Sequence, residues 1–281
     1  MRRMKEEGMA TVGTSTMFFH EYTVDIIFDA LTDAGCDAVE FWLETPSFWL
    51  KNLPVPVIQE AIITHPAIKS VSVHAPVLDL NPCSVNPDVA EISTRWACRA
   101  VTIADQINAC AVTIHPGRRT AKRPVSFADK ERLAYYLSEV KTCAASAEVT
   151  VSLENMEHKV NSLLPAPQDF ITLLKAEPWL SFTLDTAHTF TGGNGEATEY
   201  IEHLHDRIAV VHVSACIDGR MHCRTKDNTD VAHILTLLAE YGYAGPLILE
   251  IEDLTFQPEL SLRKKTELLS DETAWVRSFF E

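Results

Sequence analysis

Short apolar runs such as Val71-Ser72-Val73, Val112-Thr113-Ile114 and Leu247-Ile248-Leu249 alternate along the chain with longer stretches of helical periodicity. The runs are brief and rich in β-branched residues, as buried parallel strands are. They predict strands over 11–14, 38–42, 71–74, 111–115, 150–154, 181–185, 208–212 and 247–250. Amphipathic stretches predict helices over 25–34, 57–64, 89–107, 127–147, 167–175, 196–204, 231–241 and 261–280, with Gly35 and Gly242 as stop signals after the first and seventh. Eight strands, each followed by a helix, predict an α/β fold of the (β/α)8 barrel type, a single domain over 1–281. An open doubly wound sheet would carry a GxGxxG turn after its first strand, and none is present. The one glycine cluster, Gly192-Gly193-Asn194-Gly195, follows the sixth strand and reads as a loop.

Seven of these runs stop at a carboxylate or an imidazole: Glu40, His74, His115, Glu154, Asp185, His212 and Glu250. A polar group at the end of a buried strand needs a partner to offset its desolvation. In a barrel these ends gather at one face, where the loops after the strands build the active site. The seven residues therefore converge on one centre, and their types are those that bind divalent metals.

Composition narrows the class further. The chain of 281 residues is 46% hydrophobic and 22% charged, without an apolar run long enough to span a bilayer, so no membrane role is expected. Residues 1–9 carry Arg2, Arg3 and Lys5 ahead of Glu6 and Glu7, with no apolar segment, and predict a frayed start and no secretion signal. Seven cysteines form an odd set without CxxC, which predicts reduced thiols in a cytoplasmic protein. The net charge of −15 repels polyanions in bulk. Basic residues are nonetheless concentrated after two strand ends: Arg118, Arg119, Lys122 and Arg123 follow His115, and Arg220, Arg224 and Lys226 follow His212. Beside an acidic metal centre they predict an anionic substrate, clamped by Arg118 and Arg119.

Glu154, Asp185, His212 and Glu250 end four successive strands, so they stand side by side as the core of the predicted metal site. His74 and His115 precede prolines in His74-Ala75-Pro76 and His115-Pro116, which stiffens their presentation. His188, one turn beyond Asp185, and His222, in the loop after the seventh strand, complete the candidate ligands. Cys223 is too soft a donor for this set. Glu40 lies too far from the four-strand group for a ligand and is expected to contact substrate or the groups that surround the ligands. Trp42, Phe48 and Trp49 crowd the loop after the second strand, and Trp42 is expected to stack on a ring of the substrate.

The segments Ser72-Val73-His74-Ala75-Pro76, Ile114-His115-Pro116-Gly117, Leu153-Glu154-Asn155, Leu184-Asp185-Thr186-Ala187-His188, Val211-His212 and Leu249-Glu250 occur in that order on eight strands. The pattern resembles a superfamily of barrels that includes xylose isomerase-like sugar isomerases and epimerases and the endonuclease IV-type repair nucleases. The likeness runs over nearly the whole chain. The epimerase branch implies one divalent cation (zinc, manganese, cobalt or magnesium) on Glu154, Asp185, His212 and Glu250. Glu154 and Glu250 would then exchange a proton at the carbon beside a carbonyl, and His188 would orient hydroxyls of a small carbohydrate or related acid. The nuclease branch implies two or three zinc ions, with His74, His115, His188 and His222 added to the ligands, and a phosphodiester such as abasic DNA as substrate. The chain departs from that branch at Arg220, where an aspartate is expected, at Val77, where an aromatic is expected, and in the absence of a glycine-rich run after the seventh strand. Its acidity also weighs against duplex binding. The sequence therefore predicts a metal-dependent isomerase or epimerase, with a zinc phosphodiesterase as the alternative.

Overall fold

The computed structural model describes residues 9–46, 48, 52–53, 55–121, 124–193, 195–256 and 259–281. Trp49, Lys122, Arg123 and most of the expected frayed start lie outside them. Strands β1 (Thr11–Ser15), β2 (Ala38–Trp42), β3 (Ser70–His74), β4 (Ala111–Ile114), β5 (Thr150–Glu154), β6 (Ser181–Asp185) and β7 (Ile208–Val213) pair in parallel with their neighbours. A small antiparallel hairpin, β8 (Ala215–Ile217) and β9 (Arg220–Cys223), follows, and β10 (Pro246–Leu249) pairs with both β7 and β1 to close the barrel. The fold is thus an eight-stranded parallel barrel wrapped by helices, as predicted.

The helices are α1 (Val24–Asp33), α2 (Val55–Thr64), α3 (Pro87–Gln106), α4 (Phe127–Ala144), α5 (Pro167–Ala176), α6 (Thr186–Thr189), α7 (Glu196–Leu204), α8 (Thr229–Glu240) and α9 (Leu262–Arg277). Local sequence explains several of their starts. Asn86 caps α3 ahead of Pro87, Ser126 and Asp129 form a capping box on α4, and Asn228 accepts hydrogen bonds from two backbone N–H groups of α8. The single turn α6 and the β8–β9 hairpin have no counterpart in the predicted elements, because both are too short to show a period.

Side chains alternate between the barrel lumen and the helix layer. Val39, Phe41, Val73, Ile114, Leu153, Leu184, Val211 and Leu249 belong to the large buried cluster that the helices share with the strands. The lumen holds a separate small cluster of Ala38, Ala111, Val210 and Ile248, contributed by β2, β4 and the neighbouring pair β7 and β10. Gly13 of β1 abuts this layer, and a Cβ there would meet the Ala38 carbonyl oxygen at 1.7 Å, so only glycine fits. One step higher the lumen turns polar with Glu40, Ser72, Thr113, Ser152, Thr183 and His212, all buried. Their hydroxyls bond one another: Thr113 Oγ1 lies 3.0 Å from Thr183 Oγ1, which donates to Ser152 Oγ at 2.6 Å. Above them stand Trp42, His74, His115, Glu154, Asp185 and Glu250.

The cysteines correct one expectation. Cys98 of α3 and Cys143 of α4 form a disulfide, while Cys36, Cys83, Cys110, Cys216 and Cys223 are free. The pair is 45 residues apart in sequence, and only the side-by-side packing of α3 on α4 brings the two sulfurs together. No helix among the described residues is long and apolar enough to cross a membrane.

Candidate metal centre

β5, β6, β7 and the residue after β10 deliver Glu154, Asp185, His212 and Glu250 to one point, where a ligand atom from each lies within 4.8 Å of the others. All four are buried. His212 Nδ1 stands 3.2 Å from Glu154 Oε1 and 3.1 Å from Glu250 Oε2. Asp185 is set by its neighbours: its backbone exchanges two hydrogen bonds with the Asn155 side chain, and its Oδ1 accepts the His188 N–H at 2.7 Å. Asp185 Oδ2 is buried without a hydrogen-bond partner, and the approach of His212 Nδ1 is the nearest that Glu250 Oε2 comes to one. A buried carboxylate oxygen in that state is matched by a cation, a water or its own proton.

The four remaining histidines surround this group in two pairs. His74 Nε2 and His115 Nε2 both meet the other Glu154 oxygen, Oε2, at 3.3 and 2.9 Å. His188 Nδ1 faces the Asn155 carbonyl at 2.8 Å, which fixes Nδ1 as the donor and leaves Nε2 toward Glu157, 3.6 Å away. His222, on β9, contacts Ser214 Oγ at 3.3 Å and stacks edge-on against His188 at 5.5 Å between ring centres. All eight predicted ligands therefore meet around the lumen, four in the tight group and four flanking it.

The electrostatics are those of a site built for positive charge. Burial alone would push the His74 imidazole down, but the adjoining Glu154 carboxylate lifts it to about 9. His212 is likewise raised against burial, by Glu40, Glu250 and Glu154. Burial would raise Glu154, yet His115 and His212 hold it well below the ordinary carboxylate range, and His212 does the same for Glu250. Asp185 differs: burial lifts it to about 6, with Glu250 and Glu154 adding to the rise against His188 and His222. Three carboxylates and one imidazole, with Asp185 Oδ2 buried and unpartnered, fit a hard or borderline divalent cation.

Residues predicted to meet substrate separate. Glu40 is fully buried in the polar layer of the lumen, bonded to Ser72 and His212, so it stands behind His212 and away from the open mouth, where substrate contact is expected. Trp42 stacks on His74 at 5.1 Å, donates to Glu44, and borders a cavity with Met17, His20 and Leu78. Phe48 is buried against Phe41 and packs the loop. Arg118 lines a second cavity, of about 320 Å³, with His115, Glu157, Lys159 and Asn161. Arg119 turns inward, 6% exposed, with Nη2 donating to the Val160 carbonyl, so the expected two-arginine clamp does not form. The second basic loop is also diverted, since Arg224 and Lys226 pair with Glu272 and Asp271 of α9. Glu157 and Lys159 carry no signal in the sequence because they lie in the irregular loop after β5, and Asn155, part of the Leu153-Glu154-Asn155 segment, has no role assigned to it there.

A model of the xylose isomerase-like TIM barrel family matches residues 28–278, and the chain belongs to that family. An uncharacterised protein of Methanocaldococcus jannaschii, MJ1188, is 30% identical over 268 residues, covering 94% of this chain and 97% of the relative. Among solved structures, an L-ribulose 3-epimerase superposes with a TM-score of 0.79 at 18% identity, over 97% of this chain and 95% of its own. Endonuclease IV from Thermus thermophilus superposes at 0.70 with 16% identity, over 95% and 99%. Both structural neighbours are enzymes, and the likeness at these identities is one of fold.

Proposed function

We propose that the protein is a divalent-metal-dependent isomerase or epimerase of a small carbohydrate or related acid. The observation that carries this reading is the buried group of Glu154, Asp185, His212 and Glu250, in which two glutamates flank one imidazole nitrogen. These four residues would hold zinc, manganese, cobalt or magnesium, which when bound polarises a carbonyl and acidifies the carbon beside it. One glutamate takes the proton from that carbon and later releases it to solvent, while the other relays a proton from solvent to the carbon, so the protons balance over the cycle. His188 presents Nε2 to a substrate hydroxyl, with its ring fixed through Asn155. The cavity beside His115 takes the rest of the substrate, with Arg118 on its wall to meet an anionic group and Lys159 there paired with Glu157. A cytoplasmic site of action belongs to the same proposal; the five free cysteines favour it and the Cys98–Cys143 disulfide weighs against it.

The test is exchange of a substrate carbon-bound hydrogen with deuterated water, followed by NMR across ketoses and their phosphates with the metal-loaded protein. Exchange is expected, and it falls roughly 10²–10⁴-fold in Glu154→Gln and Glu250→Gln. Metal uptake without exchange on any member of the panel would count decisively against the reading. Arg118→Ala is expected to raise KM for phosphorylated over neutral substrates.

A zinc phosphodiesterase is the second reading, favoured by one feature: His74 and His115 converge on a single oxygen of Glu154, a geometry suited to a carboxylate shared between two ions. Nicking of an abasic oligonucleotide by protein carrying two or three zinc ions, lost in His115→Ala, would support it over isomerisation.

A further inference from the structure

One buried carboxylate of the lumen has no place in the four-residue group. Glu40 is fully buried on β2, below Trp42, which stacks on His74. Ser72, its register partner on β3, donates to Glu40 Oε2 at 3.0 Å. The remaining contact is His212, whose Nε2 lies 3.1 and 3.3 Å from the two Glu40 oxygens. The opposite nitrogen of the same ring, Nδ1, faces Glu154 and Glu250. A single imidazole thus joins a carboxylate below to the proposed ligands above.

We infer that Glu40 is a positioning residue for the metal centre, acting through His212. Its carboxylate meets Nε2 on one side of the ring while Nδ1 faces Glu154 and Glu250 on the other, so Glu40 sets the direction in which Nδ1 is presented to a cation. Ser72 fixes the carboxylate so that the ring cannot rotate about its own axis. A purely structural role explains the arrangement poorly, because burying an ion pair contributes little to stability compared with an apolar pair of the same volume. The inference rests on the reading that Glu154, Asp185, His212 and Glu250 hold a divalent cation, and it does not depend on which reaction that cation serves.

The experiment measures Zn(II) and Co(II) affinity of metal-stripped protein by competition with a chromophoric chelator, together with the visible spectrum of the cobalt form. Glu40→Gln is expected to weaken both metals by roughly 10–100-fold at unchanged stoichiometry and to shift the cobalt bands, since the direction in which His212 presents Nδ1 changes. Ser72→Ala removes only the anchor of Glu40 and is expected to weaken binding in the same direction by a smaller factor, which keeps the test alive if Glu40→Gln does not fold. Affinities within twofold of wild type in the folded variants, with unshifted cobalt bands, would overturn the role of Glu40 while leaving the metal site standing. Wild-type protein that takes up neither metal would remove the site itself and the inference with it.

Discussion

Two clusters of acidic and imidazole side chains stand on the same face of the barrel, and they balance their charge in opposite ways. In the first, Glu21, Asp253 and His20 surround Lys265 of α9, which is fully buried. Its Nζ lies 2.7 and 2.9 Å from the Glu21 oxygens and 2.9 Å from Asp253, donates to the Phe18 carbonyl at 2.8 Å, and sits 5.4 to 5.9 Å from the rings of Phe18, Tyr22 and Phe19. In the second, the ion pairs of Glu40, Glu154, Asp185 and Glu250, among the described residues, are all with histidines. The first cluster has its cation built into the sequence. The second must draw positive charge from solvent, as protons on imidazoles or as a metal ion. Acidic residues gathered at one point are therefore not enough to define a metal centre; what matters is whether the chain already supplies the counter-charge.

The sharpest challenge to this contrast is Lys265→Met. Removing the ammonium leaves two carboxylates facing each other, and the expected loss is about 3 kcal/mol in urea unfolding, with metal uptake unchanged. A loss below about 1 kcal/mol would mean that His20 or solvent balances the cluster. Next in size is the response of the lumen to metal. Zinc or manganese at a hundred times its Kd is expected to stabilise the protein by about 2.7 kcal/mol, reversed by chelator and absent in Glu250→Ala.

Asp185→Asn in metal-free protein sharpens the same point by pH. Asp185 is lifted from its usual 3.8 to about 6, so the folded protein holds this proton more tightly than the unfolded chain. Wild-type stability is accordingly lost as pH rises through that window. The amide cannot ionise, so the variant is expected to gain up to about 3 kcal/mol over wild type well above pH 6, with the gain gone below about pH 4. The Oδ1 acceptor for the His188 N–H survives in asparagine, and a constant difference across pH would show that the carboxylate is already compensated. The smallest effect belongs to His20→Ala. His20 lies 3.5 Å from both carboxylates of the first cluster and is partly exposed, so its loss is expected to cost no more than about 0.5 kcal/mol while Lys265 remains.

The barrel was legible because its signals are local. Each strand is a short apolar run, each helix shows its period and often its cap, and the predicted boundaries agree with the observed ones to within a few residues. The strand-end residues were legible for the same reason, since a parallel barrel delivers all its strand ends to one face whatever the loops do. The polar layer of Ser72, Thr113, Ser152 and Thr183 was also written in the strands, as a small polar residue at every second position, but its hydrogen-bonded closure across the lumen was not.

Sequence by itself thus determined the fold, the face on which chemistry can occur, and the residue types gathered there. Tertiary structure decided the partners. Only through-space distance showed that Arg119 turns inward, that Arg224 and Lys226 are taken up by α9, that Cys98 meets Cys143, and that Glu40 stands behind His212, 172 positions away in the chain. The physical reason is that periodicity depends on neighbours a few residues apart, whereas charge compensation falls off with distance in space and takes no account of separation along the chain.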